Sequence, residues 1–278
     1  MRGEKVIQNI INDGVIIGEI FRSPRMTCRL GWYPPFHWQA QHAHSNTQVS
    51  FLLSGEFRER AYRRERSVAH NSMAVKPQGA EHAVAFGPNG ALIVSFDLDG
   101  YQRELEKPLA LADGNWHWHA SVRARHLVAD SSRHLYGPIF PSVADIEDMF
   151  WDIVSAQDDE AMPKHNDSPP LWLSRVKKVL DHAPSSVSVS AVASGAGVHR
   201  THLARSFSRY FGVSVSAYRR RVLAESAVKY LASGAMPATA SCKAGFADQS
   251  HMTRVVKAET GFTPGVLRRF LFEAAGTT

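Results

Sequence analysis

A candidate helix near the C-terminus carries side chains suited to contact nucleic acid. Apolar residues recur in it at spacings of three and four, and they are Met252, Val255 and Val256. The opposite face has hydroxyl, guanidinium and ammonium groups and no carboxylate, on Ser250, Thr253, Arg254 and Lys257. Arginine can hydrogen-bond guanine edges in a major groove, while hydroxyl and ammonium groups contact phosphates. An ordinary amphipathic helix with a solvated polar face shows the same pattern, so one such helix does not decide the function.

The arrangement occurs a second time, 48 to 49 residues earlier in the chain. Arg205 corresponds to Arg254, and Gly212 to Gly261. The apolar face of this earlier helix has Leu203 and Phe207. Its polar side is again free of acids and consists of Thr201, His202, Arg205, Ser208 and Arg209. A glycine precedes each helix where a tight turn is needed, so the repeat predicts two helix-turn-helix units.

The second unit resembles the signature of AraC/XylS-type transcription regulators. The likeness is carried by Gly-Phe-Ala-Asp-Gln-Ser-His at 245–251, then Thr253, Arg254 and Lys257, and Gly-Phe-Thr-Pro at 261–264. It covers about residues 171–271 and implies two helix-turn-helix units bridged by one long helix, reading adjacent segments of a major groove. Repeat and resemblance together give these candidate DNA contacts: Arg200, Thr201, His202, Arg205, Arg209, Gln249, Ser250, Thr253, Arg254 and Lys257. Met252 and Val256 stand where the family usually has phenylalanines, so we expect the second unit to pack more loosely.

The charge is divided unequally along the chain. The net formal charge is +6 over 278 residues, but the part from Leu171 onward has 15 Lys and Arg against 5 Asp and Glu. The part before it is mildly acidic. A basic C-terminal part joined to an acidic N-terminal part is typical of a polyanion-binding domain with a separate partner domain.

Other features of composition limit the class of protein. No apolar run approaches the length of a membrane span, and the first residues lack the apolar region of a signal peptide. The two cysteines, Cys28 and Cys242, have no metal-binding or redox spacing. We therefore expect a cytoplasmic protein that does not associate with membranes.

Short β-type runs separated by Gly, Pro and Asn over about residues 15–100 predict an antiparallel sandwich or barrel. Within this part the spacing of His42, His44, Gln48 and Gly55, and then of Pro77, Gly79 and His82, resembles the two motifs of the cupin barrel. The predicted fold class is therefore α+β, with an N-terminal cupin-like antiparallel β-barrel, appended helices and a C-terminal all-α domain.

The cupin resemblance implies one site for His42, His44, Gln48 and His82, as a pocket for a small effector. In metal-binding cupins a glutamate stands at the position of Gln48 and completes a site with three histidines. Three imidazoles suit a divalent transition metal, so His42, His44 and His82 are also candidate metal ligands, and such an ion is the one cofactor considered. The alternative is that these histidines line a pocket or a surface loop and bind no metal.

The predicted organisation has four parts: a cupin-like sensing domain at 1–100, a helical segment and possible dimer contact at 101–156, a linker at 157–170, and a DNA-binding domain at 171–278. The predicted function is sequence-specific transcriptional regulation controlled by a small molecule, without enzyme activity. The expected partners are double-stranded DNA, the effector, a second copy of the chain, and RNA polymerase if the protein activates. Two alternatives remain, a metal-dependent cupin enzyme with an accessory nucleic-acid-binding domain, and a nucleic-acid-binding protein without a ligand.

Overall fold

The structure is a computed structural model, and it describes residues 9–69, 72–99, 118–120, 145, 148, 150–152, 168–182, 184 and 188–273. An antiparallel β domain is followed by a region of helices, so the predicted α+β class is confirmed. Most of the predicted helical segment at 101–156 and of the linker at 157–170 lies outside the described residues. Among the described helices, none has the length and apolar character to cross a membrane.

The β domain contains nine described strands. They are β1 (Asn9–Asn12), β2 (Val15–Arg22), β3 (Met26–Tyr33), β4 (Trp38–Ala43), β5 (Thr47–Ala61), β6 (Arg64–Ala69), β7 (Ser72–Lys76), β8 (Glu81–Leu98) and β9 (His119–Ala120). All pairings are antiparallel, in the order β1-β2-β3-β8-β5-β7-β9, with β4 beside β8 and β6 beside β5. Strand β9 lies within the range predicted to be helical, and it pairs with β7 instead.

Strands β5 and β8 are long and take part in two layers. Their halves nearest Leu98 pair with β3 and β7, and their other halves pair with β4 and β6. The pairing of β5 with β8 changes register around Gly55. Gly55 has φ +91°, and a Cβ there would lie 2.0 Å from the carbonyl oxygen of Gly90, so the bend requires glycine.

Side-chain alternation separates the two faces of the first layer. One face carries Leu30, Val49 and Phe96, which belong to a large buried cluster that also includes Phe150 and residues of the C-terminal helices. The other face looks toward the second layer. There Leu52 packs with a small apolar group that includes Phe57 and Phe86. The rest of this inner face is polar, so the inside of the β domain holds a polar cluster next to a short apolar core.

The helical region begins after the predicted linker. Its helices are α1 (Leu171–His182), α2 (Val189–Gly195), α3 (Arg200–Phe211), α4 (Val215–Ala232), α5 (Pro237–Ala244), α6 (Gln249–Thr260) and α7 (Pro264–Arg268), followed by a π-helical turn at Arg269–Glu273. The turn before α6 forms as predicted: Gly245 adopts φ +85°, and the Asp248 side chain accepts the N–H of His251 at the start of the helix. Helices α3 and α6 are thus the second helices of two helix-turn-helix units, and α4 connects them.

The two units have separate cores. Leu203 and Phe207 of α3 pack with α1 and α2. Met252 and Val256 of α6 belong to the large cluster that continues into the β domain. Both of these residues are 0% exposed, so the smaller side chains are fully enclosed, and looser packing of the second unit stays a prediction.

Candidate functional site

Helices α3 and α6 present the predicted DNA-contacting residues to solvent. Nine of the ten are exposed, and Thr253 is half-buried. The apolar faces of both helices are buried at the same time, as the spacing predicted. Glu259, the one acid within these two helices, is buried, so the exposed side of each carries only cationic, amide, hydroxyl and imidazole groups among its polar residues. Such a side is attracted to phosphates and can hydrogen-bond base edges.

The candidate contacts differ in how freely their side chains can reach a ligand. The His202 ring is stacked on Trp172 of α1, with ring centroids 5.5 Å apart. The hydroxyl of Thr253 donates to the carbonyl of Gln249 at 2.9 Å, one turn earlier in α6. For Arg205 and Arg254 the structure shows exposed side chains at equivalent positions of the two units. These two arginines are therefore the better candidates for base contacts, and His202 and Thr253 the weaker ones.

The three consecutive arginines in α4, Arg219 to Arg221, have different environments. Nε of Arg219 donates to the carbonyl oxygen of Pro184 at 2.6 Å, which ties α4 to the turn after α1. Arg221 is half-buried beside Glu225, and only Arg220 is exposed. A helix turns by about 100° per residue, so neighbouring side chains cannot share one surface.

The three predicted histidines meet inside the β domain. His42 of β4 lies opposite His82 of β8, and His44 follows just after β4. Their ring centroids are 4.3 Å apart for His42 and His82, 5.1 Å for His44 and His82, and 5.3 Å for His42 and His44. One ring nitrogen from each lies within 4.8 Å of the others. The structure therefore brings together residues that are 40 positions apart in the chain.

Burial keeps two of these imidazoles neutral. It is the main cause that lowers the pKa of His44 to about 3 and the pKa of His82 to about 2, and the ammonium group of Lys76 lowers both further. Nε2 of His44 is buried and has no hydrogen-bond partner among the described residues. Neutral imidazoles with a nitrogen available are the form that binds a metal or accepts a hydrogen bond from a ligand.

Gln48 lies beside this cluster, but its side-chain amide forms hydrogen bonds with other residues. Its amide donates to Asp97 at 2.9 Å, and its carbonyl oxygen accepts the hydroxyl of Ser50 at 2.9 Å. Its Nε2 lies 3.5 Å from Nδ1 of His44, at the limit of a hydrogen bond. Gln48 can thus line the site, but its oxygen already accepts one hydrogen bond, which weakens it as the fourth metal donor that the cupin position suggests.

A buried ion pair lies under the histidines, and the sequence reasoning did not identify it. Nζ of Lys76 lies 3.2 Å from Oε1 of Glu59, and both side chains are less than a tenth exposed. The second carboxylate oxygen of Glu59 accepts the indole N–H of Trp118, and Nε2 of His82 is 4.0 Å from Oε1. Alternation along β5 and β7 would place both residues inside, and a charged residue at an inward position is the signal that could have found them.

A cavity of about 490 Å³ opens beside the cluster. It is lined by His42, His44 and Gln48 and also by residues that sequence reasoning missed, among them Arg29, Tyr33 and Asp97. Arg29 and Asp97 form an ion pair across β3 and β8. Burial raises the pKa of the Tyr33 phenol to about 12, so it remains a hydroxyl donor. The lining of the cavity therefore includes both hydrogen-bond donors and hydrogen-bond acceptors, so the cavity suits a small polar molecule.

The histidine cluster also fits the metal that the cupin resemblance implies. In a tetrahedral Zn²⁺ site with bonds of about 2.1 Å the ligand nitrogens lie about 3.4 Å apart. The three ring nitrogens, which lie within 4.8 Å of one another, would have to move closer together to bind one ion. The neutral state of His44 and His82, whose pKa values burial lowers, and the unpartnered nitrogen of His44 favour binding. Three imidazole ligands would leave coordination positions open toward the cavity.

Part of this chain is similar in sequence to known proteins. A family model described as "Helix-turn-helix domain" matches residues 192–269. An uncharacterized HTH-type transcriptional regulator of Bacillus subtilis, YbfI, is 33% identical over 72 residues. That alignment covers 26% of this chain and 26% of the relative, so this chain spans about a quarter of the protein it matches.

Similar solved structures show only distant likeness. ToxT from Vibrio cholerae is 10% identical, covers 89% of this chain and 99% of its own, and has a TM-score of 0.35. KdgF from Halomonas sp. is 15% identical, covers 32% of this chain and 83% of its own, and has a TM-score of 0.30.

Proposed function

We propose that the protein is a DNA-binding transcriptional regulator of the AraC type, controlled by a small polar effector. The match of residues 192–269 to a helix-turn-helix domain supports the DNA-binding part. The observation that carries the DNA-binding part is the duplicated basic side of α3 and α6. In both helices the apolar face is buried, and the cationic face is exposed at matching positions. The curated relative, itself named a regulator, aligns with part of the chain only and supports the same proposal.

The proposed mode of DNA binding follows from the two units. Arg205 of α3 and Arg254 of α6 hydrogen-bond base edges in successive major-groove segments, because they hold equivalent exposed positions. The remaining exposed cations, such as Arg200, Arg209 and Lys257, attract the phosphate backbone. The basic balance of the C-terminal part supplies this attraction independently of the acidic N-terminal part.

The proposed effector site is the cavity beside His42, His44 and His82. Its paired Arg29 and Asp97, together with the imidazoles and amide, match a ligand that both donates and accepts hydrogen bonds. If a divalent metal is held by the three histidines, it supplies a positive charge that binds ligand oxygen atoms. The residues of the chain then orient the ligand through Gln48 and Arg29.

A second copy of the chain is proposed as a further partner, together with RNA polymerase if the protein is an activator. The predicted dimer contact falls mostly outside the described residues. Sedimentation of the full chain tests the homodimer, which a monomer at all concentrations contradicts.

A metal-dependent enzyme is the second candidate, and the histidine cluster is the observation in its favour. Gln48 replaces the acid of the metal-binding pattern, and its carbonyl oxygen already accepts from Ser50, which weakens this candidate. Elemental analysis of the purified chain, followed by a search for turnover in a metal-loaded sample, separates an enzyme from a regulator.

The experiment that tests DNA binding starts from a random-sequence pool of duplexes. The wild-type chain is expected to enrich one sequence, and binding to it is then measured for Arg205→Ala and Arg254→Ala. Each substitution should cost about 1–3 kcal/mol and relax the preference at one base position, because one bidentate contact is lost. A pool with no enriched sequence, or two variants with unchanged preferences, contradicts the proposed function.

A further inference from the structure

The hairpin that joins β5 to β6 is strongly basic. Residues 58–66 contain two acids and five arginines, which are Arg58, Arg60, Arg63, Arg64 and Arg66. Both acids have cationic partners. Glu59 is buried and paired with Lys76, and Oε1 of Glu65 lies 3.2 Å from Nη1 of Arg58. The hairpin therefore has a surplus of positive charge that its own acids do not neutralise.

The arginines at the end of this hairpin face solvent. Arg60, Arg63 and Arg64 are exposed, and none of them forms an ion pair with a residue that the structure describes. A cavity of about 640 Å³ opens beside Arg60 and Arg63. The acid on its other wall is Glu81, whose carboxylate accepts the side-chain N–H of Gln41 at 2.6 Å. The guanidinium groups at the end of the hairpin are thus available to a partner outside the chain.

The turn of the hairpin holds two large side chains in a strained conformation. It consists of Tyr62 and Arg63, with φ +48° and φ +61°, between the paired residues Ala61 and Arg64. Tight turns of this kind favour asparagine and glycine, because other side chains rarely adopt a positive φ. Tyr62 is 49% exposed, so burial does not offset the strain. Strained positions are concentrated at sites that bind ligands, and this favours a binding role for the end of the hairpin.

Strand β5 connects the hairpin to the helical region. The N–H of Gly55 donates to the Glu225 carboxylate of α4, and burial together with the charge of Glu56 raises the pKa of Glu225 to about 7. The same strand also contacts α6. Ala61 follows Gly55 by six residues, which is about 20 Å along an extended strand. That distance corresponds to about six base pairs of a duplex.

Resting on the DNA-binding function proposed above, we propose that the hairpin of residues 58–66 contacts phosphates of the DNA that flanks the segment bound by α3 and α6. Its surplus of exposed arginines attracts a polyanion, and each phosphate contact releases counterions. A two-stranded β-ribbon is also narrow enough to enter a major groove. Binding through α3 and α6 holds the hairpin near the same duplex, so even a weak contact adds to the affinity of the whole chain.

Three double variants of the full chain test this contact. Arg60→Ala with Arg63→Ala removes two exposed cations that form no ion pair with described residues. Arg60→Lys with Arg63→Lys keeps both charges. Arg22→Ala with Arg25→Ala is the matched control, because it removes two exposed arginines at the turn between β2 and β3, near the opposite end of β5. Urea denaturation checks that all three variants remain folded.

The measurement is affinity for two duplexes that contain the sequence selected by the wild-type chain. The short duplex ends at that sequence, and the long duplex continues for about ten base pairs on each side. The alanine variant of the hairpin should bind the long duplex about fivefold or more weakly than the wild-type chain does, with a salt slope lower by about two. It should bind the short duplex with wild-type affinity. The lysine variant and the control should keep the wild-type ratio of the two affinities.

Every other outcome contradicts a specific part of the proposal. Equal losses on the two duplexes, or an equal loss in the control, contradict a contact with flanking DNA. Unchanged affinity for the long duplex overturns DNA as the partner of the hairpin and favours an acidic protein instead. A wild-type chain that selects no duplex contradicts the regulator function itself. In that case the salt slope on a mixed-sequence duplex still tests the hairpin variant against its control.

Discussion

His42 and His82 lie directly opposite each other on β4 and β8, with their ring centroids 4.3 Å apart. The two residues are 40 positions apart in the sequence, and the antiparallel pairing of β4 with β8 brings them together. His44 completes the group from the end of β4. This relationship makes the inside of the β domain a place where a metal or a polar ligand can bind.

The first prediction concerns metal binding by this group. The wild-type chain is expected to bind Zn²⁺, and the double variant His42→Ala, His82→Ala is expected to bind it at least about tenfold more weakly, because two of three imidazole ligands are gone. Titration calorimetry with the metal alone measures the difference. His37→Ala is the control, since His37 lies in the same domain and outside the cluster. Equal Zn²⁺ affinity in the double variant and the control would show that these histidines do not form the Zn²⁺ site.

The second prediction concerns the buried pair of Lys76 and Glu59. Lys76→Met leaves the Glu59 carboxylate buried beside Trp118 without its cation, so it should lower the free energy of unfolding by about 3–5 kcal/mol. Urea denaturation measures the loss. Arg58→Met is the matched control, because it breaks the exposed pair with Glu65 and should cost about 1 kcal/mol or less. A cost for Lys76→Met no larger than that of the control would contradict the buried charge.

The third prediction concerns the pH dependence that Glu225 gives to stability. Its pKa is raised to about 7 from an ordinary value of 4.5, so the folded chain keeps a proton that the unfolded chain has already lost. The resulting contribution to stability is complete below about pH 4.5 and is lost as the pH rises through about 7. Glu225→Gln removes this dependence. Melting temperatures at about pH 5 and about pH 8 should therefore differ more for the wild-type chain than for the variant.

The fourth prediction separates backbone strain from steric clash in the β domain. Gly55→Ala places a Cβ 2.0 Å from the carbonyl oxygen of Gly90 at a positive φ, so it should disrupt the bend of β5. Gly79→Ala also places an alanine at a positive φ, of 74°, but its added Cβ would have no atom within 4 Å. We expect a loss of about 1 kcal/mol for Gly79→Ala from the backbone alone, and a clearly larger loss for Gly55→Ala. Similar losses in urea denaturation would contradict the clash.

The fifth prediction concerns the arginine run of α4. Arg220→Ala should weaken binding to all DNA sequences alike and reduce the slope of affinity against salt concentration by about one, because Arg220 is exposed and suited to contact a phosphate. Arg219→Ala should instead act mainly on stability, since its guanidinium group donates to Pro184. Binding measured over a range of salt concentrations separates the two effects. An Arg220→Ala variant with the wild-type slope would remove this residue from the phosphate contacts.

The helix-turn-helix units could be predicted from the sequence because their signals are local. Apolar residues at spacings of three and four, a glycine in the turn and a capping aspartate lie within about 20 residues of one another, and all of them act within one helix or one turn. The structure accordingly has Gly245 at a positive φ, Asp248 as the cap and Met252 in the core. The short β-type runs and the spacing within each of the two histidine motifs were also predictable, because each is a local pattern.

The remaining features depend on contacts between distant parts of the chain, and for that reason only the tertiary structure decided them. Gln48 was expected beside the histidines, but its amide group donates a hydrogen bond to Asp97, 49 residues away. Nothing near Glu59 in the sequence indicates its partner, because Lys76 pairs with Gln48 in the other half of β5 and reaches Glu59 only across the folded β domain. Likewise Glu225 has the pattern of an ordinary helical acid, and only the packing of α4 on the turn at Asn89 makes it a half-buried group at the junction of the two domains. Local sequence determined which helices and strands form, and burial and charge in the folded chain determined which side chains can act together.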